Sequence, residues 1–258
     1  MTLKLLVLFF VPLLSGLAIY LLPAGKGKNF RLILVFAGAY LFSITVIHIL
    51  PELYIQNSEV ELIGLFVLAG FFLQQLLEYF TSGIEHGHLP EQTGHAHHDH
   101  HAGHHHHHHH QVSAIVLLTA LCVHAFLEGA MLAQPVDIRM TYDMNAILLG
   151  IALHRAPAAF ALMTVLSFQL RSRHEAIPYL VGFSLAAPLG LMMSTYLADV
   201  EILSATGLTY LYALVSGNFL HISTTIVFES SPEHHFNARK LAVALLGALV
   251  AVGVEFII

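Results

Sequence analysis

Apolar residues run in eight long stretches along the chain, each closed by a short cluster of polar, Gly or Pro residues. The stretches lie near residues 2 to 22, 31 to 51, 60 to 82, 113 to 133, 144 to 169, 176 to 197, 203 to 229 and 238 to 257. A helix needs roughly 20 apolar residues to cross about 30 Å of hydrocarbon, and there it satisfies its own backbone hydrogen bonds. The pattern therefore predicts an all-α integral membrane protein, an eight-helix bundle in a lipid bilayer. The breakers agree with it. Pro23, Gly25 and Gly27 follow the first stretch, Pro51 is expected to close the second, and Pro135 follows the fourth. The first stretch has neither a basic leader nor an A-x-A site, so it is expected to be retained as a span rather than cleaved.

The short connections alternate in charge. Lys26, Lys28 and Arg31 lie around the first, Arg171 and Arg173 in the fifth, and Arg239 and Lys240 at the seventh. The second, fourth and sixth carry Glu52, Glu59, Glu61, Asp137, Asp143, Asp199 and Glu201, with Lys4 and Arg139 against the trend. The positive-inside bias then puts both termini outside and the odd-numbered connections in the cytoplasm.

One connection is long. Residues 83 to 112 separate a first block of three spans, 1–82, from a second of five, 113–258, within one membrane domain. It contains GIEHGHLPEQTGHAHHDHHAGHHHHHHH, with His95, His97, His98, His100, His101, His104 and His105. Nothing in it can build a packed core, so disorder is expected. The terminal His run resembles an affinity tag, but it lies inside the chain and continues a wider His-rich stretch, which favours native origin. Neutral imidazoles on a flexible segment chelate zinc, nickel or copper weakly and with little geometric selectivity. An inert spacer is the alternative.

Composition narrows the class. The chain has 258 residues, 57% hydrophobic and 10% charged, with no Trp and one Cys, Cys122. Its mean hydropathy is +0.74. A single Cys excludes an internal disulfide framework and any Cys-rich zinc motif. The formal charge of −6 and the scattered cations leave no nucleic-acid footprint.

Ionisable side chains inside spans are costly and are functional candidates by default. In the fourth span, LLTALCVHAFLEGAMLA, His124 and Glu128 stand one turn apart, where an imidazole and a carboxylate can share a cation. The fifth supplies His154 and Arg155, with Pro157 expected to interrupt the backbone ladder and bend the helix. The seventh carries Asn218, His221, Thr225 and Glu229 along one side; the second has His48 and Glu52 around Pro51; the third has Gln74 and Glu78. Singly, His48 and His221 also read as hydrogen-bonded core histidines, and Gln74 and Glu78 as a helix-to-helix contact. Polar stripes on several spans together suit helices that surround a hydrated path.

The chain resembles the ZIP family of divalent-metal transporters along nearly its whole length. FAGAYLFSITVIHILPEL is similar to that family's second helix, AGFFLQQLLEYF to its third, HAFLEG to the fourth-helix H-N-x-x-E-G motif, HRAP to the fifth and GNFLHISTTIVFESSPE to the seventh. A His-rich loop also falls where such proteins commonly have one. The resemblance implies zinc uptake by alternating access, with His124, Glu128 and His154 as ligands of the first of two metal sites. His221, Glu229, His48 and Glu52 are further metal or pathway candidates.

The match has gaps. Ala125 stands where the family usually has Asn, Arg155 where an acid or other polar residue is common, and Ala158 and Ala187 where carboxylates of the second site can lie. The second site should then bind no metal, with Arg155 filling it as a tethered charge that Glu128 or Glu229 neutralises. The expected centre holds one ion, completed by water or His221. Arg155 as a plain lock between two helices is the competing reading.

Two His and one Glu suit zinc, with iron, manganese, cobalt and cadmium also open. A non-transporting metal sensor or scaffold is the alternative function. No HExxH or comparable hydrolase motif is present, so no enzyme is expected. Short loops and compact size suit a bacterial inner membrane, and a homodimer is left open.

Overall fold

The computed structural model describes residues 1–21, 27–81, 114–133, 143–170, 172–229 and 238–257. The His-rich histidines, Lys26, Asp137 and Arg139 lie outside the described residues, whereas the backbone of Lys28 and Arg31 belongs to the first helical turns after residue 27.

Helices account for nearly all of it, with no strand among the described residues. They are α1 (Thr2–Leu17), α2 (Gly27–Ile44), α3 (Leu50–Gln56), α4 (Val60–Thr81), α5 (Ala114–Met131), α6 (Met144–Gln169), α7 (Ile177–Asp199), α8 (Ala205–Glu229) and α9 (Ala238–Ile257). The eight expected spans correspond to α1, α2 joined to α3, and α4 to α9. Six segments have the length and apolarity of membrane spans: Thr2–Tyr20, Leu32–Gln56, Val60–Thr81, Ala114–Met131, Met144–Ser167 and His174–Asp199. α8 and α9, at 25 and 20 residues, are also long enough to cross. In α8 the stripe of Asn218, His221 and several Ser and Thr dilutes the apolar character.

Pro51 does not close the second span. A π turn over Thr45–Ile49 links α2 to α3, and the chain stays helical to Gln56. Proline lacks an N–H and its ring collides with the carbonyl four residues back; a wider turn just before it relieves both demands. Pro157 likewise sits inside an unbroken α6.

The helices assort into two groups. α4 packs along α8, and α2 along α8 and α9; α5 packs along α7, and α1 along α6 and α7. The groups meet chiefly where α2 faces α6 and α4 faces α5. Within each group, one helix pair brings backbones into contact through reciprocal glycines. A Cβ on Gly129 would strike the Ala187 carbonyl and one on Gly190 the Phe126 carbonyl, which joins α5 to α7; Gly70 against Leu214 and Gly217 against Val67 do the same for α4 and α8. Elsewhere, a Cβ on Gly150 would meet the Tyr40 and Leu41 side chains, and one on Gly182 would have nothing within 4 Å. Gly129→Leu should therefore cost the α5–α7 contact, read as loss of monodisperse protein in detergent, whereas Gly182→Leu should be tolerated.

Two apolar clusters fill the interior. One gathers Leu8, Met131, Leu132, Met144, Ile147 and Tyr212; the other gathers Leu117, Leu121, Leu162, Leu166 and Leu180. Along α5 and α6, His124, Glu128, His154 and Arg155 fall between them.

Candidate metal centre

α5 carries His124 and Glu128 one turn apart, so both project from one face toward α6. Their Nε2 and Oε1 atoms are 3.2 Å apart. α6 brings His154 opposite, its ring nearly perpendicular to that of His124 with centroids 5.8 Å apart. One ligand atom from each of the three residues lies within 4.8 Å of the others. Exposure is 3% at His124, 0% at Glu128 and 1% at His154, deep enough that each polar atom needs a partner. α5 and α6 barely touch along their backbones, so the imidazoles bridge a gap that a small ion fits.

Arg155, the next residue on α6, is the largest fully buried side chain among those described. Its Nη1 lies 3.4 Å from Glu128 Oε2, its Nη2 donates to the Phe183 carbonyl of α7 at 2.9 Å, and its guanidinium sits 4.6 Å over the Phe183 ring. Glu128 thus turns one oxygen to the imidazole pair and the other to a fixed cation. Ala125, Ala158 and Ala187 are all buried and supply no oxygen from their side chains. Ser15 of α1 donates to the Ala156 carbonyl at 2.5 Å and steadies α6 just before Pro157.

The remaining candidates lie elsewhere. His221 Nδ1 is 3.4 Å from Glu78 Oε2 on α4, and its ring meets Phe71 edge-on at 4.8 Å. Gln74, also on α4, is fully buried. His48 stands half-buried on the π turn; Glu52 is buried on α3 and accepts from Gln56 Nε2 at 2.6 Å. Glu229 ends α8, and its side chain lies outside the described residues. Phe183 was not anticipated: nothing in its own helix marks it, and only the reach of Arg155 across to α7 reveals its role.

A helical membrane bundle that buries two imidazoles, a carboxylate and a guanidinium together is an integral membrane protein with a polar centre built for charge. A family model described as ZIP Zinc transporter matches residues 1–255, and the chain belongs to that family. Among similar proteins are Zinc transporter ZIP9-B of Xenopus laevis, 36% identical over 122 residues that cover 45% of this chain and 39% of that protein. Zinc transporter ZIP9 of Macaca fascicularis is 36% identical over 114 residues, covering 42% of this chain and 47% of its own length. The chain thus aligns with less than half the length of these relatives.

Proposed function

We propose that the chain carries zinc across the membrane by alternating access, binding one ion at a time between His124, Glu128 and His154. The observation that carries this is the convergence of the three ligand atoms within 4.8 Å at a buried point between two apolar clusters. Two neutral imidazoles and one carboxylate match zinc's preference, and three protein ligands leave the open fourth position that a releasing site needs. Hard cations such as calcium and magnesium call for more oxygen. Family membership and the zinc-transporter names of the relatives agree with this cargo.

Alternating access is supported by the two helix groups. Reciprocal glycine contacts make α5–α7 and α4–α8 rigid pairs, so relative motion falls on the looser faces between groups. The charge pattern supports termini on the outside and a cytoplasmic connection over residues 83–112, between two blocks of one membrane domain. His48 and Glu52, and His221 with Glu78, are the polar groups that an ion would meet before and after the centre. Uptake of radioactive zinc into proteoliposomes tests the reading; saturable binding without uptake would replace it.

A metal-binding membrane sensor or scaffold is favoured by one observation, the Arg155–Glu128 pair, which ties α6 to α5 across the path. It predicts zinc binding and no flux. If the His-rich loop collects ions after passage, deleting residues 91–110 should change the apparent affinity for uptake several-fold and leave the maximal rate nearly intact. Complete loss of flux would give the loop an essential part in the path itself.

A further inference from the structure

At the end of the bundle where α5 stops and α6 starts, two tyrosine hydroxyls tie the helix groups to each other. Tyr212 of α8 donates to the carbonyl of Ala133, just past α5. Tyr40 of α2 donates to the carbonyl of Ala146 in the first turn of α6, at 3.0 Å. Both side chains are fully buried. The two bonds run from the group holding α2 and α8 to the group holding α5 and α6. By contrast, Ser15 to Ala156, Lys4 to Leu132 and Arg155 to Glu128 stay inside the second group, and Tyr210 to Glu59 and His221 to Glu78 inside the first.

An apolar wall flanks these bonds, with Lys4, which donates to the Leu132 carbonyl, and Asp143 at its edge. Leu8, Met131, Leu132, Met144, Ile147 and Ile151 are each no more than 3% exposed and form an apolar plug between the metal centre and this end. None of those side chains offers an ion an oxygen or nitrogen ligand. The Ala133 carbonyl lies beyond the last helical residue, so no N–H one turn on serves it within α5. Parting the groups here would strand a phenol and a carbonyl in an apolar setting until water entered, which makes the bonds break together with wetting of the plug.

We propose that Tyr212 and Tyr40 form a two-point latch that holds this end of the bundle shut, and that exposing the centre to this side requires both hydroxyl–carbonyl bonds to break. The inference rests on the alternating-access reading and names the contacts that set its resting state. Tyr→Phe keeps the ring in the core and removes only the hydroxyl. At Ala133 it leaves a carbonyl unpaired in the closed state, and at Ala146, whose carbonyl also serves the helix N–H four residues on, it removes the one bond that crosses between the groups there. Either loss weakens the closed state and changes little in the open one, so it shifts the balance toward opening.

The test is thiol labelling of the full chain in lipid nanodiscs, in a Cys122→Ala background. Met131→Cys reports on the plug and Leu162→Cys on the apolar cluster at the other side of the centre. With a hydrogen bond worth on the order of fivefold in an equilibrium, Y212F or Y40F should each speed Met131→Cys labelling about fivefold, and the double variant up to roughly thirtyfold. Labelling at Leu162→Cys should not rise. Unchanged Met131→Cys labelling in folded single variants would overturn the latch, as would equal acceleration at both reporters, which signals general loosening. The single variants decide the matter if the double one fails to fold. Zinc flux is measured separately: its absence in the unsubstituted protein sinks the transport reading, while the labelling result still decides whether the hydroxyls hold this end closed.

Discussion

Zinc uptake is expected to fall to background when His124 is replaced by Ala, with the protein still folded. His124 is 3% exposed and gives Nε2 to the point that Glu128 and His154 share. Loss of a residue that only supports a ligand costs about 10- to 100-fold in metal affinity, so loss of a ligand should cost at least that. His154→Ala should match it, because its imidazole comes from the other helix and no other ligand group among the described residues joins the cluster.

Glu128→Ala is the harsher change but the less clean one. It removes a ligand and also strips Arg155 of its carboxylate, and an uncompensated buried charge costs roughly 3–5 kcal/mol. Glu128→Gln keeps the shape and separates the two effects. His221→Ala is the control: its partner is Glu78 on α4, so the centre should keep its affinity even if flux changes. Radioactive zinc uptake paired with equilibrium zinc binding gives both readouts. Unaltered binding in folded His124→Ala and His154→Ala proteins would remove the proposed centre, whatever became of transport.

Most of the fold was legible because a membrane imposes one demand per span, and the runs of Leu, Val, Ile, Ala and Phe mark where it is met. The helix ends fall within a few residues of the expected ones. Where the reading failed, at Pro51, the cause was a rule applied too simply: proline ends a regular α-helix, but a π turn over Thr45–Ile49 absorbs it. α8 was legible as a helix despite its polar stripe because the flanking apolar residues hold their spacing.

The site was legible to the extent that it is local. His124 and Glu128 share a face by their spacing alone, and the structure sets them 3.2 Å apart. Which carboxylate answers Arg155 was not decidable from spacing, since Glu128 and Glu229 lie on different helices and the choice depends on how α5, α6 and α8 are arranged. The same holds for His221, whose pairing with Glu78 follows from the α4–α8 approach set by Gly70 and Gly217. Tyr40 and Tyr212 carried a weaker cue: a phenol deep in an apolar span must find an acceptor, but the sequence does not say on which helix.

Arg155→Asp is expected to turn the proposed one-ion centre into a two-ion centre. Arg155 and Glu128 together are neutral, and the guanidinium occupies the far side of the carboxylate, 3.4 Å from Oε2. Exchanging a cation for an anion changes the local charge by two, frees Oε2 and adds oxygens on the α6 side, which together can hold a second divalent ion. Ala158 and Ala187 offer none, so water must complete the shell and the second ion should bind more weakly than the first. Without metal the variant buries two carboxylates side by side, and its thermal stability should become strongly zinc-dependent. Arg155→Met separates charge from site: it leaves Glu128 unpaired, lowers stability by roughly 3–5 kcal/mol, and adds no ligand. Metal-to-protein ratios should read one for the unsubstituted chain and for Arg155→Met, and approach two for Arg155→Asp at high zinc. A ratio that stays at one in folded Arg155→Asp would mean that Arg155 locks α6 to α5 and α7 without standing in for an ion.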